Sequence, residues 1–255
     1  MSRCRMPSTL ALTLAAVGLS GGLAAGTPTT ASLATAFSRF SVSLNQNGQL
    51  GYSGCLGLPA GEPDGAAGQL FGFRPAIQYA ARPTGPWRTL ASATLTRAPC
   101  GNGGALFSGQ ATARLNLAYY RAYFPGFPGR AASSGAGYLA SVSPAVLAWK
   151  FEDRIASFAV SPVVVGEGGD LTVRGALEYY HSGWRGYPDQ AVLVILRPNS
   201  RCPWYWIRRV TTGPGGRFGV TFADPLSATW SAEYLGNGTH LAAVASMTYV
   251  QLKAG

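Results

Sequence analysis

From residue 37 onward, apolar and polar residues alternate with a period of two along much of the chain, the signature of half-buried β-strands. In ATWSAEY (228–234), Ala228, Trp230, Ala232 and Tyr234 fall on one face and Thr229, Ser231 and Glu233 on the other. Earlier in the chain, Ala118, Tyr120, Ala122 and Phe124 take the same places opposite Tyr119, Arg121 and Tyr123. Both inward rows read small, large aromatic, small, aromatic. No stretch of comparable length sets apolar residues on a 3.6-residue period, so almost no helix is predicted.

The correspondence extends outward in the same order. GYSGCLGL (51–58) answers TVRGALEY (172–179), and AIQYAARP (76–83) answers AVLVILRP (191–198). PWRTL (86–90) answers PWYWI (203–207), and LASVSPAVLAWKF (139–151) answers LAAVASMTYVQLK (241–253). Insertions are confined to the connections, where they are tolerated: RAPCGNGGALF is longer than TTGPGGRF, and FPGRAASSGAGY is longer than NGTH. Glycine, proline, asparagine and aspartate punctuate each copy into about seven short strands. In the second copy these are predicted over 156–160, 171–179, 191–197, 204–211, 217–222, 228–234 and 244–252. The pattern predicts an all-β chain of two tandem immunoglobulin-like antiparallel β-sandwiches, residues 37–153 and 154–255. A single large barrel is the competing arrangement, disfavoured because each copy is long enough to bury its own core.

GGDLTVRGAL, AVLVILRP, PGGRFGVTF and SATWSAEYLGNGTHLAAVAS resemble the strand segments of bacterial immunoglobulin-like repeats of secreted proteins. The resemblance covers the second copy nearly completely and the first more loosely. It implies a non-catalytic extracellular module used for display, spacing or binding, and it carries over no ligand and no functional residue.

Residues 1–36 stand apart. Arg3 and Arg5 precede an apolar run from Leu10 to Ala25, followed by small and polar residues. That is the order of a secretory signal peptide, with cleavage after Gly26 or Ala36. The run is shorter than the ~20 residues a membrane span needs, and nothing later approaches that length. A secreted, extracellular protein is expected. Cys4 would leave with the signal, so Cys55, Cys100 and Cys202 remain. Cys55 and Cys100, in the same copy, are the pair expected if a disulfide forms; three unpaired thiols is the alternative. Cys202 would then stay free or join two chains.

The formal charge of +10 falls to +8 without Arg3 and Arg5. The basic residues occur singly, apart from Arg208 and Arg209, which argues against the clustered footprint of nucleic-acid binding. An excess of positive charge favours anionic neighbours, which at a bacterial surface are wall polymers, phospholipid headgroups and acidic glycans. The partners expected are cell-surface or wall glycans or another extracellular protein.

Catalytic parts are scarce. His181 and His240 are the only histidines, too few for a copper- or zinc-binding sandwich. A triad drawn from His240, Asp224 and a serine lacks any nucleophile motif, and His240 reads as a turn residue beside Tyr234 or facing water. Glu62, Asp64, Glu167 and Asp170 sit in glycine- or proline-rich connections. With Glu152 and Asp153, Glu167 and Asp170 offer oxygens to calcium between the copies, without the spacing of a fixed calcium loop; no other cofactor is expected. GNGG and GPGG lack the strand-to-helix context of a phosphate loop, and Asn237, Gly238 and Thr239 read as a turn.

One segment, YYHSGWRGYPD (179–189), suggests recognition. Placed as a loop between strands, Tyr180, His181, Trp184, Arg185 and Tyr187 are the candidate ligand-binding residues: rings to stack on sugar faces and an arginine to bond hydroxyls. The competing reading folds Trp184 and Tyr187 back as a cap. In PWYWI, alternation sends Trp204 and Trp206 together to the core face. The function expected is a secreted, non-enzymatic structural or interaction module; the alternative is carbohydrate or wall-polymer binding through the aromatic loop.

Overall fold

A computed structural model describes residues 32–58, 70–100, 104–127, 137–223 and 225–253. Residues 1–31 of the expected signal peptide, Glu62, Asp64 and Asp224 lie outside the described residues. The first half runs β1 (Ser32–Leu33), β2 (Ala36–Leu44), β3 (Gln49–Gly57), β4 (Ala76–Ala80), β5 (Arg88–Ser92), β6 (Thr96–Cys100), β7 (Gly104–Thr112), β8 (Leu117–Phe124), β9 (Gly137–Tyr138), β10 (Ser141–Val142) and β11 (Val146–Trp149). The second runs β12 (Asp153–Ser161), β13 (Val164–Gly166), β14 (Asp170–Tyr180), β15 (Trp184–Gly186), β16 (Ala191–Arg197), β17 (Tyr205–Thr211), β18 (Arg217–Ala223), β19 (Ala228–Tyr234), β20 (Ala243–Val244) and β21 (Thr248–Lys253). No α-helix occurs among the described residues, and hence none long and apolar enough to cross a membrane.

In the first half β2, β3, β7 and β6 form one sheet, and β5, β4 and β8, with β10 and β11 on β8, form the other. In the second, β12, β14 and β18 form a sheet extended by β15. Facing it, β17, β16 and β19 carry β20 and β21 on β19, with β13 parallel to β21. Strand for strand, β2-β3-β7 matches β12-β14-β18, and β5-β4-β8 matches β17-β16-β19. The chain is all-β: two tandem immunoglobulin-like sandwiches.

Alternation fills each interior. Ala118, Tyr120, Ala122 and Phe124 are buried in the first sandwich, and Ala228, Trp230, Ala232 and Tyr234 in the second. Around Tyr120 gather Leu50, Leu56, Ile77, Phe107 and Phe124. Trp230 packs with Val160, Leu171, Val173, Val194 and Val250, next to a further group that includes Leu177, Phe218 and Tyr234. Among the described residues neither interior draws a buried residue from the other half, which argues against one shared barrel core.

Two glycine pairs show how deep the correspondence goes. Gly54 lies opposite Phe107 and Gly175 opposite Phe218. A Cβ at either glycine would fall 2.3 or 2.6 Å from the ring's Cζ, so the phenyl ring covers the strand where no side chain stands. After β8 and β19, Gly126 and Gly236 adopt φ of 79° and 74°, left-handed values open to glycine at little cost. The match of AIQYAARP to AVLVILRP is offset by two places: Ile77 faces Ala122, but it is Val194 that faces Ala232.

Three local readings change. The predicted 244–252 strand is divided between β20 and β21, and Trp184 belongs to a short strand rather than a loop. Trp206 does not enter the core. A bulge sets Arg208 opposite Val194 and Trp206 opposite Ile195, leaving Ile207 as the extra residue. The alternation breaks there and Trp206 turns to the outer face, 65% exposed. Trp204 lies instead under the Arg197 guanidinium, 4.9 Å from the ring centre.

Candidate functional site at the junction of the sandwiches

Strand β14 turns back into β15 through His181, Ser182 and Gly183, the last two at φ of 55° and 136°. The hairpin pairs Tyr180 with Trp184, Tyr179 with Arg185 and Glu178 with Gly186. Successive pairs point to opposite faces. On one face the Tyr180 and Trp184 rings meet edge to face at 5.5 Å. Arg154 lies 4.0 Å over the Trp184 ring and 2.7 Å from the Glu178 carboxylate. On the other, His181, Arg185 and Tyr187 line a cleft of about 420 Å³ with Phe151, Tyr179 and His240. The five candidate residues therefore do not converge on one surface.

The cleft backs onto the connection between the sandwiches. Asp153 opens β12 with its side chain fully buried, and its Oδ1 lies 2.9 Å from Nδ1 of His240, itself 7% exposed. Burial lifts the Asp153 carboxyl to about 6, against the pull of the His240 hydrogen bond. Its Oδ2 is buried with no hydrogen-bond partner among the described residues. The His240 ring stacks on Tyr187 at 4.2 Å and meets Phe151 at 5.0 Å and Tyr179 at 5.4 Å. His240 thus neither faces water nor sits idle beside Tyr234; it joins the connection to the turn after β19.

Lys150 completes the joint. Its buried ammonium donates to the carbonyls of Asn237 and Gly238, the latter at 2.7 Å. Burial pulls its pKa below the usual lysine range, with Asp153 opposing. Phe151 N donates to the Thr239 carbonyl at 2.8 Å, and Leu241 N donates back to Phe151 O at 3.0 Å. The turn is held by Asn237, whose Oδ1 accepts from the Thr239 and His240 amides. Asn237 Nδ2 donates to the hydroxyl oxygens of Tyr187 and Tyr234, each at 3.0 Å. Burial pushes the Tyr234 hydroxyl well above the usual tyrosine range, so it stays protonated. From the first sandwich, the carbonyl of Gln46, between β2 and β3, accepts from Ala242 N at 2.8 Å.

This arrangement fastens the connection to the turn. Among the described residues Asp153–His240 is the one His–Asp contact, its carboxylate fully buried and its ring stacked on Tyr187 at the edge of the cleft. Asp153 is committed to His240, and no three of His, Cys, Asp and Glu converge among the described residues to hold a cation. Sequence reasoning passed over Lys150 and Asp153 as joint residues. The available signal was their place in the alternation: Lys150 continues the inward row of Ala148, and Asp153 begins the inward row of Ile155. Elsewhere a disulfide joins Cys55 of β3 to Cys100 of β6, with Cα atoms 5.8 Å apart, and Cys202 is free.

No protein-family model matches the chain, and no curated protein matches it. Among solved structures, the D0-D1 domain of intimin is 14% identical, with 84% of this chain and 98% of that one covered and a TM-score of 0.27. The Yersinia pseudotuberculosis adhesin InvE is 9% identical over 85% of this chain and 58% of its own, with a TM-score of 0.28. SGBP-B, from a complex xyloglucan utilization locus in Bacteroides uniformis, is 12% identical over 85% and 49%, with a TM-score of 0.24. The chain thus spans less than two thirds of the last two.

Proposed function

We propose that the chain is a secreted, non-enzymatic interaction module that holds two immunoglobulin-like sandwiches in fixed relation at or beyond the cell surface. The observation that carries this reading is the bonded state of the connection. A tether between independently moving domains is exposed and makes few contacts. Here every connecting residue is engaged. Lys150 N donates to Asn116 O, Phe151 bonds the 239–241 turn in both directions, and Glu152 O accepts from Tyr180 N at 2.8 Å. Asp153 closes the series on His240. Burying a lysine and an aspartate is costly unless both are held by partners, and these partners come from the turn of the second sandwich.

The signal-like segment and the disulfide agree with an oxidising, extracellular compartment. Small-angle X-ray scattering of the full chain tests the fixed relation. A single arrangement of the two sandwiches is expected to fit the wild-type curve, while Lys150→Ala, which frees the turn carbonyls, requires a spread of interdomain angles. A wild-type curve that itself demands such a spread contradicts the reading.

A further inference from the structure

On the outer face of the second sandwich lies a groove of about 610 Å³, lined by Trp206, Leu193, Leu235, Asp189, Gln190 and Arg209. Beside the groove on the same sheet, Trp206 stands opposite Ile195, and Ile195 opposite Ser231, the latter two both buried.

The polar rim is held from below by buried Thr212. Its backbone carbonyl accepts from Asp189 N at 2.8 Å, and its hydroxyl accepts from Gln190 N at 2.9 Å and donates to Tyr187 O at 2.7 Å. Asp189 is fixed at φ 58°, an uncommon value for a residue other than glycine. Despite this order, the Asp189 carboxylate, the Arg209 guanidinium and the Trp206 indole N–H bond no other described residue. All three side chains are exposed, so a ligand reaches their polar groups by displacing water alone and without breaking any bond within the protein.

We infer that this groove binds a neutral saccharide. The exposed indole offers an apolar face with a polar edge, matched to the C–H face and hydroxyl rim of a pyranose ring. A carboxylate and a guanidinium present paired acceptors and donors to adjacent hydroxyls. One negative and one positive group cancel, so the lining gives an anionic polymer no advantage. The volume lies within the roughly 300–1,000 Å³ usual for small-ligand sites. A peptide strand added to the free edge of β17 fits less well, because the bulge at Ile207 and the Arg208–Arg209 pair interrupt that edge. The inference rests on the chain being a binding module, and not on the fixed relation of its sandwiches.

The test exposes the full chain to an array of neutral hexose and pentose oligosaccharides, uronic-acid and sulfated glycans, and extended peptides, with titration calorimetry on what is retained. Retention of a neutral glycan is expected, weakened about tenfold or more by Trp206→Ala and by Arg209→Ala. Neither variant should shift the melting temperature, since both side chains stand outside the core. Trp184→Ala, on the opposite sheet, should bind as wild type does. Failure to retain any neutral glycan at millimolar concentration overturns the inference, as do retention of acidic glycans alone and binding indifferent to Trp206→Ala. Capture of peptides in place of glycans overturns it while leaving the interaction-module reading intact.

Discussion

Trp230→Ala is expected to unfold the second sandwich and leave the first standing. The indole is 1% exposed and fills the space between β16, β14 and β21, packing against Val173, Val194 and Val250 and meeting the tilted Phe222 ring at 5.1 Å. Losing an aromatic side chain of that size from a closed core costs about 3–5 kcal/mol, much of what a domain this small possesses. Its counterpart Tyr120 belongs to a separate interior that contains none of these residues. Calorimetry should show two transitions, one lowered by about 12 °C or more and the other nearly unmoved. Trp230→Phe, which keeps much of the volume and removes an indole N–H buried without a partner among the described residues, should cost considerably less. Loss of both transitions together in Trp230→Ala contradicts separate interiors.

The second large effect is electrostatic and depends on pH. Folding raises the Asp153 carboxyl from 3.8 to about 6, because burial disfavours its charge and Glu152 adds repulsion, both opposed by His240. The folded chain therefore binds this proton more tightly than the unfolded chain does. The stabilisation it confers is fully present below about pH 4 and is lost as pH rises through about 6. Above that, an ionised carboxylate with one unpartnered oxygen lies buried in the joint. Asp153→Asn keeps an acceptor for the His240 Nδ1–H and removes the charge. It should stabilise the chain by roughly 1–3 kcal/mol at pH 7.5 and by almost nothing at pH 4. His240→Ala leaves the carboxylate with no partner and should cost about 3–5 kcal/mol at pH 7.5, less as Asp153 becomes protonated. Urea midpoints from pH 4 to 8 measure both; an Asp153→Asn variant less stable than wild type at pH 7.5 contradicts this account of the pair.

The scaffold was legible in the sequence because period-two alternation and recurring glycines are local signals. Ala228 to Tyr234 and Ala191 to Arg197 are the strands predicted, and Gly54 and Gly175 answer each other in sequence and in space. Alternation failed where the backbone stops alternating. The bulge at Ile207 moves Trp206 from the predicted core face to the rim of a groove, and no residue type near it announces an extra residue in the strand. The joint was illegible for a different reason. Lys150 and Asp153 meet Gly238 and His240 across some 87 residues, and that pairing follows from how one sandwich is set upon the other. The aromatic segment stands out in the sequence, but β15 divides its side chains between two faces, so proximity in sequence overstates proximity in space.

Hydrogen exchange at the joint is the most direct measurement of whether the two sandwiches are fastened. The amides of Phe151, Leu241 and Ala242, bonded to Thr239, Phe151 and Gln46, should be protected nearly as strongly as the strands of the second interior. Exchange of these three amides at the rate of an unstructured peptide, with both interiors still protected, would mean two beads on a free tether.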